Sequence, residues 1–344
     1  MSTMTEVFCG VDTHADTHTA AVINGIGRVL ATETFPVTAN GYNELTAWIT
    51  SFGRVVLVGV EGTGSYGAGL TRHLMTAELD VREVNRTNRQ HRRRHGKSDP
   101  ADAIAAAKAV ASGEAQGLPR CVDGPVEAVR NLATTRSGLV KARTQTANQI
   151  HALIKTAPQP LREQLHAKTL PQIANTVAEL EASDITDPTG AVITCLQALT
   201  QTWTALGTHI KNLTKALETA TAAAAHPDLF DQVGIGATVA ADLITVAGSD
   251  PNRFTSEAGF AAACGVSPVD ASSGQQQRHR LNRGGDRQAN AALYRIVIVR
   301  LRYHQPTKDY MARRLAEGKT KREIIRCLKR YVARDVYRIL TQPH

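Results

Sequence analysis

Hydrophobic and polar positions over the first 113 residues follow two periods in turn. VFCGVDTH (7–14) is an apolar run of strand length, and THTAAVI (17–23) is a β-branched run able to pair with it. NGIG (24–27) is turn chemistry, and RVLATETFPV (28–37) offers a third strand. ANGYNELTAWITSF (39–52) then changes to helical spacing through Tyr42, Leu45, Trp48 and Ile49. RVVLVGVEG (54–62) is continuously apolar and β-rich, as expected of a strand buried on both faces. GLTRHLMTAEL (69–79) predicts a helix, VREVN (81–85) a short strand, and PADAIAAAKAVASG (100–113) a helix closed by Gly113.

This β-β-β-α-β-α-β-α order, three meandering strands and then helix-linked strands lying parallel, predicts an RNase H-like α/β domain over residues 1–123. From 124 to 225 the pattern is helical. One helix spans roughly 125–156 through Leu132, Leu139, Ile150, Leu153 and Ile154, with Pro158 and Pro160 marking its end. Further on, Val192, Leu196, Leu199, Trp203, Leu206, Ile210, Leu213 and Leu217 repeat with spacing 4-3-4-3-4-3-4, a coiled-coil seam. It serves either an antiparallel hairpin within one chain or a dimer. From 226 to 344 a third, mainly helical domain is expected. Its DQVGIGATVAADLI (231–244) resembles a helix-hairpin-helix element, whose glycines bring backbone N–H groups to a phosphate.

Charge adds a partner to this picture. The net charge is +9, but it is blocked: 81–157 carry 14 basic against 6 acidic residues, and 278–344 carry 18 against 5. The stretches 1–80 and 158–277 are net acidic. Two separate basic blocks form the footprint of a nucleic-acid-binding protein. Five scattered cysteines without a C-x-x-C pair argue against a disulfide framework or a thiolate zinc site, and fit a reducing cytosol. No signal pattern or membrane-length apolar run appears, so a soluble cytoplasmic protein is expected, nucleoid-associated when bound to DNA.

The candidate chemistry lies in acidic residues. Two-metal phosphoryl transfer needs three or four converging carboxylates. In an RNase H-like sheet these come from the first strand, the end of the fourth strand and the start of the last helix. Here those places hold Asp12 in GVDTH, Glu61 in GVEGTG, and Asp99 with Asp102 in KSDPADA. Taken alone, Asp99 and Asp102 read better as a helix cap, with Asp99 at the N-cap and Pro100 at the first helical position. Asp12 and Glu61 on very apolar strands shift the balance, because a carboxylate there is costly without a metal or cationic partner. Arg89, Arg92, Arg93, Arg94 and Lys97 immediately precede the helix and read as a grip on a nucleic acid.

GVDTHADTHTAAV, VGVEGTGSYG and NRQHRRRHGKSDPADA resemble the N-terminal DEDD domain of the insertion-sequence-110 family of transposases, itself similar to the Holliday-junction resolvase RuvC. The resemblance continues through VDASSGQQQRHRLNRGGDRQANAAL (269–293) and EGKTKREIIRCLKRYVARDVY (317–337). It implies that Asp12, Glu61, Asp99 and Asp102 bind Mg²⁺ or Mn²⁺. It also implies a nucleophilic serine in a Ser-Gly segment after GVSP (265–268); Ser273 is the matching residue and Ser272 the fallback. Many relatives carry lysine where this chain has Ala15. The family's partners are target and donor DNA and a non-coding bridge RNA whose loops pair with both, leaving the protein to grip backbones.

On residue chemistry alone the serine is the weaker element. Ser-Ser-Gly is ordinary turn chemistry, and no adjacent base is evident. In its favour, Arg278, Arg280, Arg283 and Arg287 follow it and would neutralise a phosphorane. Gly284 and Gly285 would admit a phosphate to the backbone, and His279 is a proton shuttle or another phosphate contact. The basic residues of 130–155 and the C-terminal basic helices would hold further phosphates, and the seam would make a dimer or tetramer. Two other readings stand beside this one: a metal-dependent junction nuclease using the carboxylates alone, and a non-catalytic nucleic-acid scaffold whose carboxylates cap helices.

Overall fold

The computed structural model describes residues 5–84, 98–119, 124–182, 184–249, 254–270, 279–280 and 284–342. Arg89, Arg92, Arg93, Arg94, Lys97, Ser272, Ser273, Arg278 and Arg283 lie outside the described residues. The chain divides into two compact units, Met1–Gly124 with Gly248–Thr255, and Pro125–Ala247 with Ser256–His344.

The first unit holds strands β1 (Glu6–Thr13), β2 (Thr17–Asn24), β3 (Val29–Pro36), β4 (Arg54–Glu61) and β5 (Val81–Val84). Its described helices are α1 (Ala39–Thr50), α2 (Ala68–Thr76) and α3 (Asp99–Ala111). Every element begins and ends within three residues of its sequence expectation. The strand order is β3-β2-β1-β4-β5. Short turns make β1–β2 and β2–β3 antiparallel, whereas β4 and β5, reached through α1 and α2, lie parallel to their neighbours.

Strand alternation sorts the sheet into two faces. Val7, Cys9 and Val11 of β1 and Val58 and Val60 of β4 share one core with Leu45 and Ile49 of α1 and Leu70 and Leu74 of α2. The intervening positions of β1 and β4, among them Phe8 and Leu57, face α3. There Gly10 and Gly59 are paired in register on adjacent strands. A Cβ on Gly10 would stand 2.1 Å from the Ala107 nitrogen, and one on Gly59 would stand 2.9 Å from the Ala106 oxygen. Two missing side chains thus let the small face of α3 (Ala103, Ala106, Ala107, Val110) lie directly on the sheet. Asp99 and Asp102 extend that same face by one turn, at spacings of four from Ala103 and Ala106.

The cap of α3 differs from the expectation by one position. Ser98 has extended backbone and is the N-cap, so Asp99 is the first helical residue rather than the cap. The Asp102 N–H donates to the Ser98 carbonyl at 3.0 Å, the first backbone bond of the helix.

The second unit is mostly helical: α4 (Gly124–Thr156), α5 (Gln159–Leu165), α6 (Leu170–Ala178), α7 (Pro188–Ala224), α8 (Ala237–Ala247), α9 (Glu257–Ala263), α10 (Arg287–Tyr303), α11 (Gln305–Ala316) and α12 (Lys321–Leu340). Short strands β6 (Val269–Asp270) and β7 (His279–Arg280) pair antiparallel. The two long helices α4 and α7 run antiparallel within one chain. Arg136 Nε donates to Thr214 Oγ1 at 2.7 Å, and Arg143 Nε donates to the Trp203 carbonyl at 3.3 Å. The Arg143 guanidinium also sits 4.0 Å from the centre of the Trp203 ring. Short helices α5 and α6, which apolar spacing did not separate, close a cluster of Ile150, Ile154, Leu165, Ile173, Val177 and Leu196. Along the seam Leu196 and Leu217 are buried, while Leu206, Ile210 and Leu213 are half-buried.

Several basic residues and glycines expected at phosphates have internal work instead. Arg130 pairs with Glu127, and Arg136 and Arg143 are spent on α7 as above. Arg300 is buried, donates to the Val233 carbonyl at 3.1 Å and pairs with Asp335 at 3.5 Å. A Cβ on Gly285 would fall 2.1 Å from the Gly265 nitrogen, so this glycine serves a chain-on-chain approach. Gly234 (φ +91°) lies against Ile296 of α10, which leaves only Gly236 of the G-x-G pair open.

Candidate metal centre

The parallel pairing of β1 and β4 brings their C-terminal ends side by side, with Val11 opposite Val60 and Asp12 and Glu61 next along. Thr13 Oγ1 ties these ends together by donating to the Glu61 carbonyl at 2.7 Å. After Glu61 the chain turns at Gly62, whose φ of +69° is left-handed and costly for any residue with a Cβ. The packing of α3 on Gly10 and Gly59 aims its first turn at the same edge. Asp102 is buried there and Asp99 is part-exposed.

Asp12 is only 5% exposed. Burial pushes its carboxyl above the usual carboxylate range, His14 opposes that shift, and the charges of Glu61, Asp102 and Asp99 add to it. Three acidic residues that lie in other motifs of the sequence therefore act on Asp12. His14 lies among them: its Nε2 is 3.2 Å from Asp12 Oδ2 and 3.3 Å from Asp99 Oδ1. One donor atom from each of Asp12, His14 and Asp99 falls within 4.8 Å of the others. Clustered carboxylates with one imidazole are a donor set that suits a divalent cation, and the excess negative charge at a buried edge calls for one.

His14 was not among the sequence candidates. The signal was present in GVDTH, since residues two apart on a strand share a face. What the spacing did not reveal is that the chain leaves β1 at Thr13. The His14 N–H donates to the Thr17 carbonyl at 3.1 Å, closing the β1–β2 turn with the ring directed back over the carboxylates.

The candidates from Ser272 onward fall in the second unit. Arg280 and Arg287 are exposed, the former on β7 and the latter at the start of α10. The α10 start is capped by Asp286, which accepts from Gln288 N at 2.8 Å and Ala289 N at 3.0 Å. Ser272 and Ser273 belong to the segment that joins β6 to β7. No described helix is long and apolar enough to cross a membrane.

Comparison with known proteins places both regions in one family. The family model for the DEDD transposase of IS110 elements matches residues 9–157, and that of the transposase IS116/IS110/IS902 family matches residues 229–312. The chain belongs to the IS110 family of transposases. Asp12, Glu61, Asp99 and Asp102 fall inside the first match, and Ser272 and Ser273 inside the second. A Streptomyces coelicolor protein described as a mini-circle transposase for IS117 is 29% identical over 157 residues. That alignment covers 43% of this chain and 38% of the relative, so the chain spans about two fifths of the relative it matches.

Proposed function

We propose that this IS110-family chain is a DNA recombinase that moves an insertion sequence, using two chemical centres. In this reading residues 1–123 are a RuvC-like, RNase H-like domain, 124–225 a coiled-coil region and 226–344 a transposase domain. The sheet order β3-β2-β1-β4-β5, with its antiparallel meander and parallel crossovers, supports the first assignment. The observation that carries the proposal is geometric: donor atoms of Asp12, His14 and Asp99 lie within 4.8 Å of one another, at the strand ends where Asp12 and Glu61 stand side by side.

Asp12, Glu61, Asp99 and Asp102 would hold Mg²⁺ or Mn²⁺. Such an ion supplies charge neutralisation for a reacting phosphate. Thr13 and the α3–glycine packing keep the carboxylates at one edge. Ser273 is the proposed nucleophile: its Oγ forms a bond to a DNA phosphorus, one P–O ester bond breaks, and the DNA oxygen leaves as a hydroxyl. The serine proton passes to a base, for which His279 is the candidate nearest in sequence, and an equivalent proton is returned to the leaving DNA oxygen. Arg280 and Arg287 are both exposed, whereas Arg300 is buried. A bridge RNA would select target and donor DNA by base pairing while the protein holds backbones. Half-buried Leu206, Ile210 and Leu213 support a homo-oligomer through the seam.

Strand exchange on matched DNA, with and without co-purified RNA, tests this. Asp12→Asn is expected to lower cleavage by about 10²-fold or more while circular dichroism stays native. Ser273→Ala is expected to abolish a covalent protein–DNA adduct. Cleavage intact in Asp12→Asn, an adduct persisting in Ser273→Ala, or exchange indifferent to RNA would each remove the corresponding part.

A further inference from the structure

We propose that His14 is a direct ligand of the divalent ion, making this a mixed oxygen–nitrogen centre tuned towards transition ions over Mg²⁺. The inference rests on the divalent-metal reading above.

The geometry is more specific than an ordinary hydrogen bond. His14 Nε2 faces two acceptor oxygens at once, at 3.2 Å on Asp12 and 3.3 Å on Asp99. A single ring nitrogen offers either one N–H or one lone pair, so it cannot serve both oxygens well by hydrogen bonding. Ligands held about 2.1–2.2 Å from one ion and at right angles are themselves about 3.0–3.1 Å apart. The two His14 separations lie close to that value, and the three donor atoms span no more than 4.8 Å. The imidazole is also free to adjust, being 40% exposed while its backbone is pinned to Thr17.

The chemical consequence is selectivity. Carboxylates alone suit Mg²⁺ and Mn²⁺, whereas imidazole favours ions later in the first transition row. The gain from His14 should therefore rise from Mg²⁺ through Mn²⁺ to Co²⁺.

The test loads the full chain with Mn²⁺ and records pulsed electron paramagnetic resonance, with Asp12→Asn identifying which bound Mn²⁺ belongs to this site. The wild-type protein is expected to show ¹⁴N coupling that ¹⁵N-histidine labelling converts and that His14→Asn abolishes. Titrations should show Co²⁺ affinity falling about tenfold or more in His14→Asn, Mn²⁺ less, and Mg²⁺ least. Asp12-dependent Mn²⁺ binding without nitrogen coupling, or coupling that survives in His14→Asn, would overturn the assignment and leave the metal reading standing. Absence of any Asp12-dependent binding would overturn the metal reading, and this assignment with it.

Discussion

His18 on β2 sits where water does not reach, with both ring nitrogens buried and its ring stacked 5.8 Å from Tyr42. Burial lowers its pKa below the ordinary 6.5, a backbone hydrogen bond at Thr17 opposes the shift, and nearby His14 adds to it. The folded state thus resists a proton that the unfolded chain accepts once pH drops below about 6.5. Stability from this residue is present above that pH and lost below it. Thermal unfolding followed from pH 7.5 to 5.5 should show a falling midpoint, at about 2–4 °C per kcal/mol for a chain of 150–250 residues and less for a longer one. His18→Leu should flatten the fall, and an unchanged slope would assign the pH dependence elsewhere. Asp12 shows the complementary case: a raised carboxyl kept where several like charges meet, which is costly for folding and useful for holding a cation.

Among elements, α3 decides whether the site exists. Its small residues were legible as a helix, but no local pattern marked the paired glycines on β1 and β4 as its seat. Gly10→Ala must push Cβ into the Ala107 and Ala103 backbone, at 2.1 and 2.2 Å. Overpacking of this kind costs about 1–3 kcal/mol. Because α3 carries Asp99 and Asp102, the same substitution should weaken Mn²⁺ binding even in the folded fraction. Gly25→Ala, with open space around it, is the matched control and should leave both quantities near wild type. Calorimetry and metal titration on the pair would check this; equal behaviour of the two variants would contradict it. The α4–α7 hairpin teaches a related lesson. Its heptad seam was readable, yet Arg136 and Arg143, counted as candidate phosphate contacts, are spent on Thr214 and Trp203 of the neighbouring helix.

At the scale of the whole molecule, net charge of +9 gathered into two blocks predicts binding governed by counterion release. Affinity for duplex DNA or RNA should fall steeply and linearly on logarithmic axes as salt rises. Arg280→Ala and Arg287→Ala should each reduce that slope by about one, because both side chains are exposed. Arg300→Met should leave the slope unchanged and lower stability, since its charge is held by Val233 and Asp335. Filter binding across a salt series separates these outcomes.

The sequence by itself determined the alternation of strands and helices, the three motifs that carry the acidic residues, and the location of basic charge. These are local properties: period, turn chemistry and composition act over a few residues. Only the tertiary structure decided that Asp12, His14 and Asp99 meet, that Ser98 rather than Asp99 caps α3, and that Gly234 and Gly285 pack against backbone. Such facts depend on which strands become neighbours and how closely a helix approaches them. A side chain's neighbours are set by close packing across long sequence separations, where no periodicity survives to be read.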